Sequence, residues 1–245
     1  MEPDSFPSHI FCPSNLIYYE SESIPAPDPV KIPGLFYYPD YISPLESDKL
    51  LEIIDGNPWI KEIRRRQQHY GFLYYHTRHN LGTLQPIDQV NDVCLSLKSF
   101  DFLIERMIND CIFPKNDPPT QCLVNEYIGN HRIASHLDDF QAFGDVIAGL
   151  SLIEPCYMTM KLVDEPRVYL KFLMENRSLY VMKDDARYKW KHGITAMKHY
   201  DNPKTKEKYY RGLNWRRVSL TFRKILVDGT KKSYEDKKKD ESCTW

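Results

Sequence analysis

Ser135-His136-Leu137-Asp138-Asp139, near the middle of the chain, is the stretch from which the rest can be read. Val124 to Tyr127 before it and Val146 to Leu152 after it read as strands. Successive side chains of a strand point to opposite faces, so His136 and Asp138 are predicted to share one face. Leu137 and Asp139 then turn away, which leaves Asp139 a structural residue. An imidazole and a carboxylate side by side on a rigid strand suit a divalent metal. A His-x-Asp pair is short enough to arise by chance, so its meaning depends on what other strands bring to it.

Outward from this stretch, short apolar runs recur near 122–127, 132–138, 146–152, 156–162, 167–172, 178–182, 189–194 and 216–223. Gly129-Asn130, Glu154-Pro155, Asp164-Glu165-Pro166 and Lys183-Asp184-Asp185 separate them as turns. Eight such strands fit a two-sheet jelly roll, in which metals and small ligands sit between the sheets. The N-terminal half reads differently. Leu35-Phe36-Tyr37-Tyr38 is a short strand, and Ser43, Pro44 and Glu46 give the N-cap, first-turn proline and capping box of a helix. Leu50, Leu51 and Ile54 are its buried stripe and Gly56 its stop. Helical spacing from Val90 through Cys111 predicts one long helix or two over 86–113.

The predicted class is therefore mostly β with α: a jelly roll, or double-stranded β-helix, with an N-terminal helical extension. Seven prolines fall within the first 33 residues, so 1–33 is expected to be an extended or disordered arm. Residues 34–226 form one folded domain without internal repeats, and 227–245 are a charged tail containing Lys237-Lys238-Lys239.

A net charge of −1 and pI ≈ 6.7 exclude recruitment of nucleic acid or anionic lipid by a global basic field. Any such partner needs a local patch. Arg64-Arg65-Arg66-Gln67-Gln68-His69-Tyr70-Gly71-Phe72, followed by Tyr74, Tyr75, His76, Arg78 and His79, interleaves cations with aromatics in a way that suits phosphates and stacked bases. The same pattern also fits a strand pair with a solvated cationic face. Six cysteines without a CxxC argue against a zinc ribbon or a disulfide framework. The acidic, proline-interrupted N-terminus is no signal peptide, and no apolar run nears the roughly 20 residues that span a bilayer. The chain is expected to be soluble and monomeric, in cytoplasm and/or nucleus, with no membrane contact.

A facial triad for non-haem iron needs two imidazoles and one carboxylate, leaving open positions for co-substrate and molecular oxygen. His136 and Asp138 supply two of the three. His192 in Lys191-His192-Gly193-Ile194 reads either as the third or as a structural histidine, and Gly193 beside it would let another backbone approach closely. Arg216-Arg217-Val218-Ser219-Leu220-Thr221-Phe222-Arg223 alternates over a whole strand, placing Arg217, Ser219, Thr221 and Arg223 on one face. Arg217 and Arg223 are about 20 Å apart along it at ~3.3 Å per residue. Their guanidinium forks match carboxylates in a way that Lys cannot, so the pair fits either a short dicarboxylate or a cationic sheet rim. Asn125 and Tyr127 share a face of an earlier strand and add hydrogen-bonding groups.

In this order, Asn-x-Tyr, His-x-Asp, His-Gly-Ile and Arg-x-Ser-x-Thr-x-Arg resemble the AlkB family of iron(II)- and 2-oxoglutarate-dependent dioxygenases, over residues 34 to 226. The resemblance implies that His136, Asp138 and His192 hold Fe(II). It implies that Arg217 and Arg223 take the two carboxylates of 2-oxoglutarate, with Asn125 and Tyr127 bonding the same molecule and Ser219 nearby. It further implies that 2-oxoglutarate is decarboxylated to succinate while a substrate C–H bond is hydroxylated; from an N-methyl group, the methyl then leaves as formaldehyde.

Arg65, Arg66, His69 and Tyr70 fall where family members place a nucleotide-recognition lid, similar to that of the homologue acting on wobble uridines in tRNA. Ser178-Leu179-Tyr180-Val181-Met182 followed by Ala186-Arg187-Tyr188 is similar to the same homologue. Neither its RNA-recognition domain nor its methyltransferase domain is found in these 245 residues. Phe140, two residues after Asp138, would stack on a base without selecting it. The expected substrate is a modified nucleotide, in RNA before DNA. The alternative is a protein side chain such as methyl-lysine, because His136-Leu137-Asp138-Asp139 and Leu150-Ser151-Leu152 also resemble a homologue linked to that substrate.

Overall fold

The computed structural model describes residues 32–61, 64–76, 81–86, 94–165, 169–201 and 207–226, together with 17–20; for 17–20, 75–76, 81–86 and 200 it describes backbone only. In chain order the elements are β1 (Ile17–Glu20), β2 (Leu35–Tyr38), α1 (Pro44–Gly56), β3 (Gln67–Tyr70), β4 (Phe72–His76), β5 (Leu81–Pro86), β6 (Cys94–Leu95) and α2 (Asp101–Asn109). They continue as β7 (Gln121–Ile128), β8 (Ile133–His136), β9 (Phe143–Ile153), β10 (Cys156–Leu162), β11 (Tyr169–Met174), β12 (Leu179–Met182), α3 (Asp184–Tyr188), β13 (Trp190–Ile194), β14 (His199–Asp201), β15 (Lys208–Tyr210) and β16 (Arg216–Ile225).

Two sheets carry the fold. The larger has the order β2-β12-β9-β16-β7-β3-β6 and the smaller β1-β11-β10-β13-β8. Every pairing is antiparallel except β3 with β6. Alternation along β16 explains the layering. Val218, Leu220 and Phe222 are fully buried against Leu50, Ile54, Phe100, Leu103 and Met107 of the helical layer. Burying each such side chain stabilises the fold by roughly 1.5–3 kcal/mol. The opposite face of β16 looks toward the smaller sheet, where Phe143, Met158, Met160, Leu170, Phe172 and Trp190 form a second core. A jelly roll with a helical face is thus present, and all eight expected strands form.

Helix α1 is capped as its sequence specifies. The Ser43 hydroxyl accepts from the Glu46 amide, and the Glu46 carboxylate accepts from the Ser43 amide at 2.8 Å. Arg106 of α2 also pairs with Glu46, which ties the two helices together.

Two expectations are corrected. The helix read over 86–113 is much shorter: a 3-10 turn at Leu97–Phe100 leads into α2, which ends at Asn109. Cys94 and Leu95 instead extend the larger sheet by pairing with His69 and Tyr70, so their apolar spacing served a strand edge. Val90 and Val93 lie outside the described residues. Strand β8 also stops at His136, two residues short of the range read for it. Beyond it the Asp139 carboxylate accepts from the Gln141 amide at 2.8 Å, an Asx turn that bends the chain away from the sheet.

Of the N-terminal arm, Ile17–Glu20 is extended and pairs with β11. The tail from 227 lies outside the described residues. Cys94, Cys111, Cys122 and Cys156 are free thiols. Among the described residues, no helix is long and apolar enough to cross a membrane.

Candidate active site

His136, at the end of β8, stands directly across from His192 of β13 in the antiparallel ladder. Their rings are 4.5 Å apart between centroids. This closeness depends on Gly193. A Cβ there would lie 2.9 Å from the Ile133 carbonyl oxygen and from the backbone of Ser135, closer than packed atoms approach. Asp138 completes the group, and one ligand atom from each of the three residues lies within 4.8 Å of the others. The sheet places the two histidines, but Asp138 sits past the strand end, in the turn.

The donor atoms suit a divalent metal. His136 Nδ1 is 2.8 Å from the Ala134 carbonyl, which leaves Nε2 for a ligand. Burial pushes the pKa of His192 down to about 3, so its imidazole is neutral and free of a competing proton. Burial alone would raise the pKa of Asp138. The guanidinium groups of Arg223 and Arg187 around it nevertheless hold the carboxyl well below the usual range, and it is ionised. Its Oδ1 accepts from Arg223 at 2.9 Å. Its Oδ2 is buried without a hydrogen-bond donor, 3.5 Å from His192 Nε2. An ionised, buried oxygen in that position calls for a cation.

Beside this group lies a cavity of about 510 Å³ whose wall includes Asn125, Tyr127, Arg217, Ser219, Thr221 and Arg223. The ladder brings these together: Arg217 is opposite Tyr127, and Ser219 opposite Asn125. Arg217 is 1% exposed, and its Nε donates to the Ser151 hydroxyl at 2.9 Å. Arg223 is 4% exposed, and its Nε donates to Gln121 at 3.0 Å. Arg217 Nη1 and Arg223 Nη2 are buried with no acceptor. Two unsatisfied guanidinium nitrogens in one buried cavity match a small dicarboxylate.

The substrate residues read from the sequence separate on inspection. Arg65 lines the cavity and donates to Asn125 Oδ1 at 2.9 Å, where Gln67 also donates at 2.7 Å. Arg66 belongs to the other face of the larger sheet, ion-paired with buried Glu126 and stacked 4.5 Å over Trp59. Tyr70 is sealed in the helical core, 4.6 Å from the Phe100 ring, with its hydroxyl on Gln68. His69 is 2% exposed and outside the cavity lining. Alternation separates Arg65 from Arg66 and Tyr70, since neighbouring residues serve opposite layers; His69 shares the parity of Arg65 but is not part of the lining. Phe140 also lies outside the cavity lining, half-exposed and 5.2 Å from the Tyr188 ring.

Several residues escaped the sequence reading. Asp139, taken as turned away, lines the cavity and accepts from Tyr74 at 3.2 Å. Tyr180 lies in the wall over Gly149, where any side chain would collide with its ring at 2.2 Å. Arg187 is 2% exposed, and four backbone carbonyls accept from it. Both Tyr180 and Arg187 fall in the stretches similar to the tRNA-acting homologue, but nothing there indicated a role in the site: Tyr180 reads as core, and Asp-Asp-Ala-Arg-Tyr as a solvated turn.

Comparison with known proteins agrees with the donor set. Residues 34–223 match the family model of the 2OG-Fe(II) oxygenase superfamily. The chain belongs to that superfamily, and within it to the AlkB type. An uncharacterised Acanthamoeba polyphaga mimivirus protein, L905, is 35% identical over 196 residues, covering 78% of this chain and 85% of the viral one. The mouse tRNA (carboxymethyluridine(34)-5-O)-methyltransferase ALKBH8 is 29% identical over 213 residues, which cover 79% of this chain but only 30% of the mouse protein. The solved structure of OsALKBH1 shares the fold at a TM-score of 0.55 and 18% identity, covering 79% of this chain and 99% of that one. The protein is a 2-oxoglutarate-dependent dioxygenase whose cofactors are Fe(II) and 2-oxoglutarate.

Proposed function

We propose that this dioxygenase hydroxylates or demethylates a modified nucleotide in RNA, with tRNA the first candidate. When bound, Fe(II) and 2-oxoglutarate would use molecular oxygen to hydroxylate a substrate C–H bond, one oxygen atom entering the substrate and the other the succinate formed with CO2. The chain's own part is binding and orientation. His136, Asp138 and His192 would hold Fe(II), the last already neutral and the aspartate already ionised. Arg217 and Arg223 would each take one carboxylate with the nitrogen now lacking an acceptor, and Asn125, Tyr127 and Ser219 would bound the same molecule. Tyr74, Phe143 and Tyr180 add aromatic surface that keeps water from the reacting carbon.

The observation that carries the nucleotide reading is Arg65, a cation on the cavity wall held by Asn125. From there it can meet a phosphate while the attached base enters the cavity. The names of relatives point both ways, the mouse protein's to tRNA and that of a Caenorhabditis elegans one, a DNA N6-methyl adenine demethylase, to DNA, so both nucleic acids enter the test. The test offers total tRNA, methylated single-stranded DNA and methyl-lysine peptides to the Fe(II)-loaded enzyme, and measures added oxygen or formaldehyde. Product from tRNA that falls at least tenfold in Arg65→Ala, with uncoupled 2-oxoglutarate turnover intact, supports the proposal. Product from the peptides alone overturns it.

A further inference from the structure

His136 and His192 are fixed by facing each other in the ladder of β8 and β13, whereas Asp138 has no ladder to hold it. Two arginines hold it instead. Arg223 donates to its carboxylate, but that side chain also faces the dicarboxylate cavity. Arg187 acts differently, because its guanidinium is spent on the backbone of the turn. Its Nη1 donates to the Asp138 carbonyl at 3.0 Å, Nη2 to those of Asp139 and Phe143 at 3.4 and 3.5 Å, and Nε to that of Gly144 at 3.3 Å. The rings of Phe140 and Tyr188 each lie 5.1 Å from it and close it off from water.

Arg187 lies on α3, which runs directly into β13 and therefore into His192 five residues later. One side chain thus joins the segment leading to one metal-binding residue to the turn bearing another. We infer that Arg187 is the positioning residue for the metal site, setting Asp138 relative to His192 and thereby the affinity for the metal. A lysine keeps the charge but cannot span four carbonyls with a planar fork. The inference rests on the metal site and holds whichever substrate the enzyme takes.

The test titrates Co(II) into metal-free wild type, Arg187→Lys and Arg187→Gln, following the visible absorption of bound Co(II). Melting temperature and the KM for 2-oxoglutarate at saturating Fe(II) are measured alongside. Loss of a residue that orients metal ligands weakens metal binding by roughly 10–100-fold. Arg187→Lys is expected to bind Co(II) at least tenfold more weakly, with a shifted spectrum, a melting temperature lower by only a few degrees and a KM within twofold of wild type. Phe140→Ala, which uncovers the guanidinium but keeps its hydrogen bonds, should weaken Co(II) binding only a few-fold and supplies a second reading if Arg187→Gln fails to fold. Wild-type Co(II) affinity in Arg187→Lys would overturn the inference. So would a parallel loss of Co(II) affinity, 2-oxoglutarate affinity and melting temperature, which marks a merely structural side chain.

Discussion

Arg223 Nη1 donates to Asp138 Oδ1 at 2.9 Å, so an arginine lining the cavity proposed for the dicarboxylate also braces the aspartate of the proposed metal group. Arg217 has no such tie; it donates to the Ser151 hydroxyl at 2.9 Å and to the Met174 sulfur at 3.6 Å. The two arginines should therefore differ on substitution. Arg217→Ala is expected to raise the KM for 2-oxoglutarate about 30-fold or more, the equivalent of ~2 kcal/mol, while leaving metal affinity unchanged. Arg223→Ala should raise both that KM and the metal dissociation constant. Calorimetric titration of each ligand separates the two effects; equal metal affinity in both variants would contradict the assignment.

His69 gives stability a pH dependence. It is 2% exposed, and burial, reinforced by Arg223, pushes its pKa down to about 4. The unfolded chain protonates it near 6.5, so the unfolded state binds more protons as pH falls between those values. The stability is complete above about pH 6.5 and is lost progressively towards pH 4, amounting to about 3 kcal/mol from this residue. Urea unfolding at pH 7 and pH 5 should show the decline, and His69→Gln should make it shallower, leaving the part that buried His192 contributes. An unaltered slope in that variant would remove His69 from the account.

Gly193→Ala should separate the two histidines. The added Cβ meets the backbone of Ile133 and Ser135 at 2.9 Å, and backbone cannot rotate aside as a side chain does. Overpacking of this kind costs about 1–3 kcal/mol. Because the strain falls on the rung joining His136 to His192, metal affinity should drop more than melting temperature suggests. Wild-type metal binding in the variant would show that the close approach is not needed.

Arg65 and Arg66 are adjacent yet should behave oppositely. Arg66→Ala removes one of two arginines paired with buried Glu126, so about 1–3 kcal/mol of stability should be lost with no change in KM for the nucleic-acid substrate. Arg65→Ala should raise that KM with little effect on the urea midpoint. Equal kinetic effects from both would contradict the division of the segment between the sheet's two faces.

The sequence spoke most clearly where a period covered a whole element. Alternation from Arg217 to Arg223 sorted one face to the cavity and the other to the helices, and the structure keeps that division. The capping box at Ser43 and Glu46 was equally legible, because a cap is a local interaction. Period arguments weakened at element ends. Asp138 and Asp139 were read as opposite faces of a strand, but the chain has already turned, and both line the cavity. Arg187 stayed hidden because its acceptors are backbone carbonyls some 40 residues earlier, to which side-chain patterning is blind.

The central claim is that His136, Asp138 and His192, with Arg217 and Arg223, constitute an Fe(II) and 2-oxoglutarate site. The most direct measurement is succinate formed from 2-oxoglutarate under Fe(II), ascorbate and oxygen, in wild type and in Asp138→Ala matched for folding by circular dichroism. The account predicts succinate from wild type and at least a hundredfold less from Asp138→Ala. Equal succinate from the two proteins, or none from metal-loaded wild type, would contradict it.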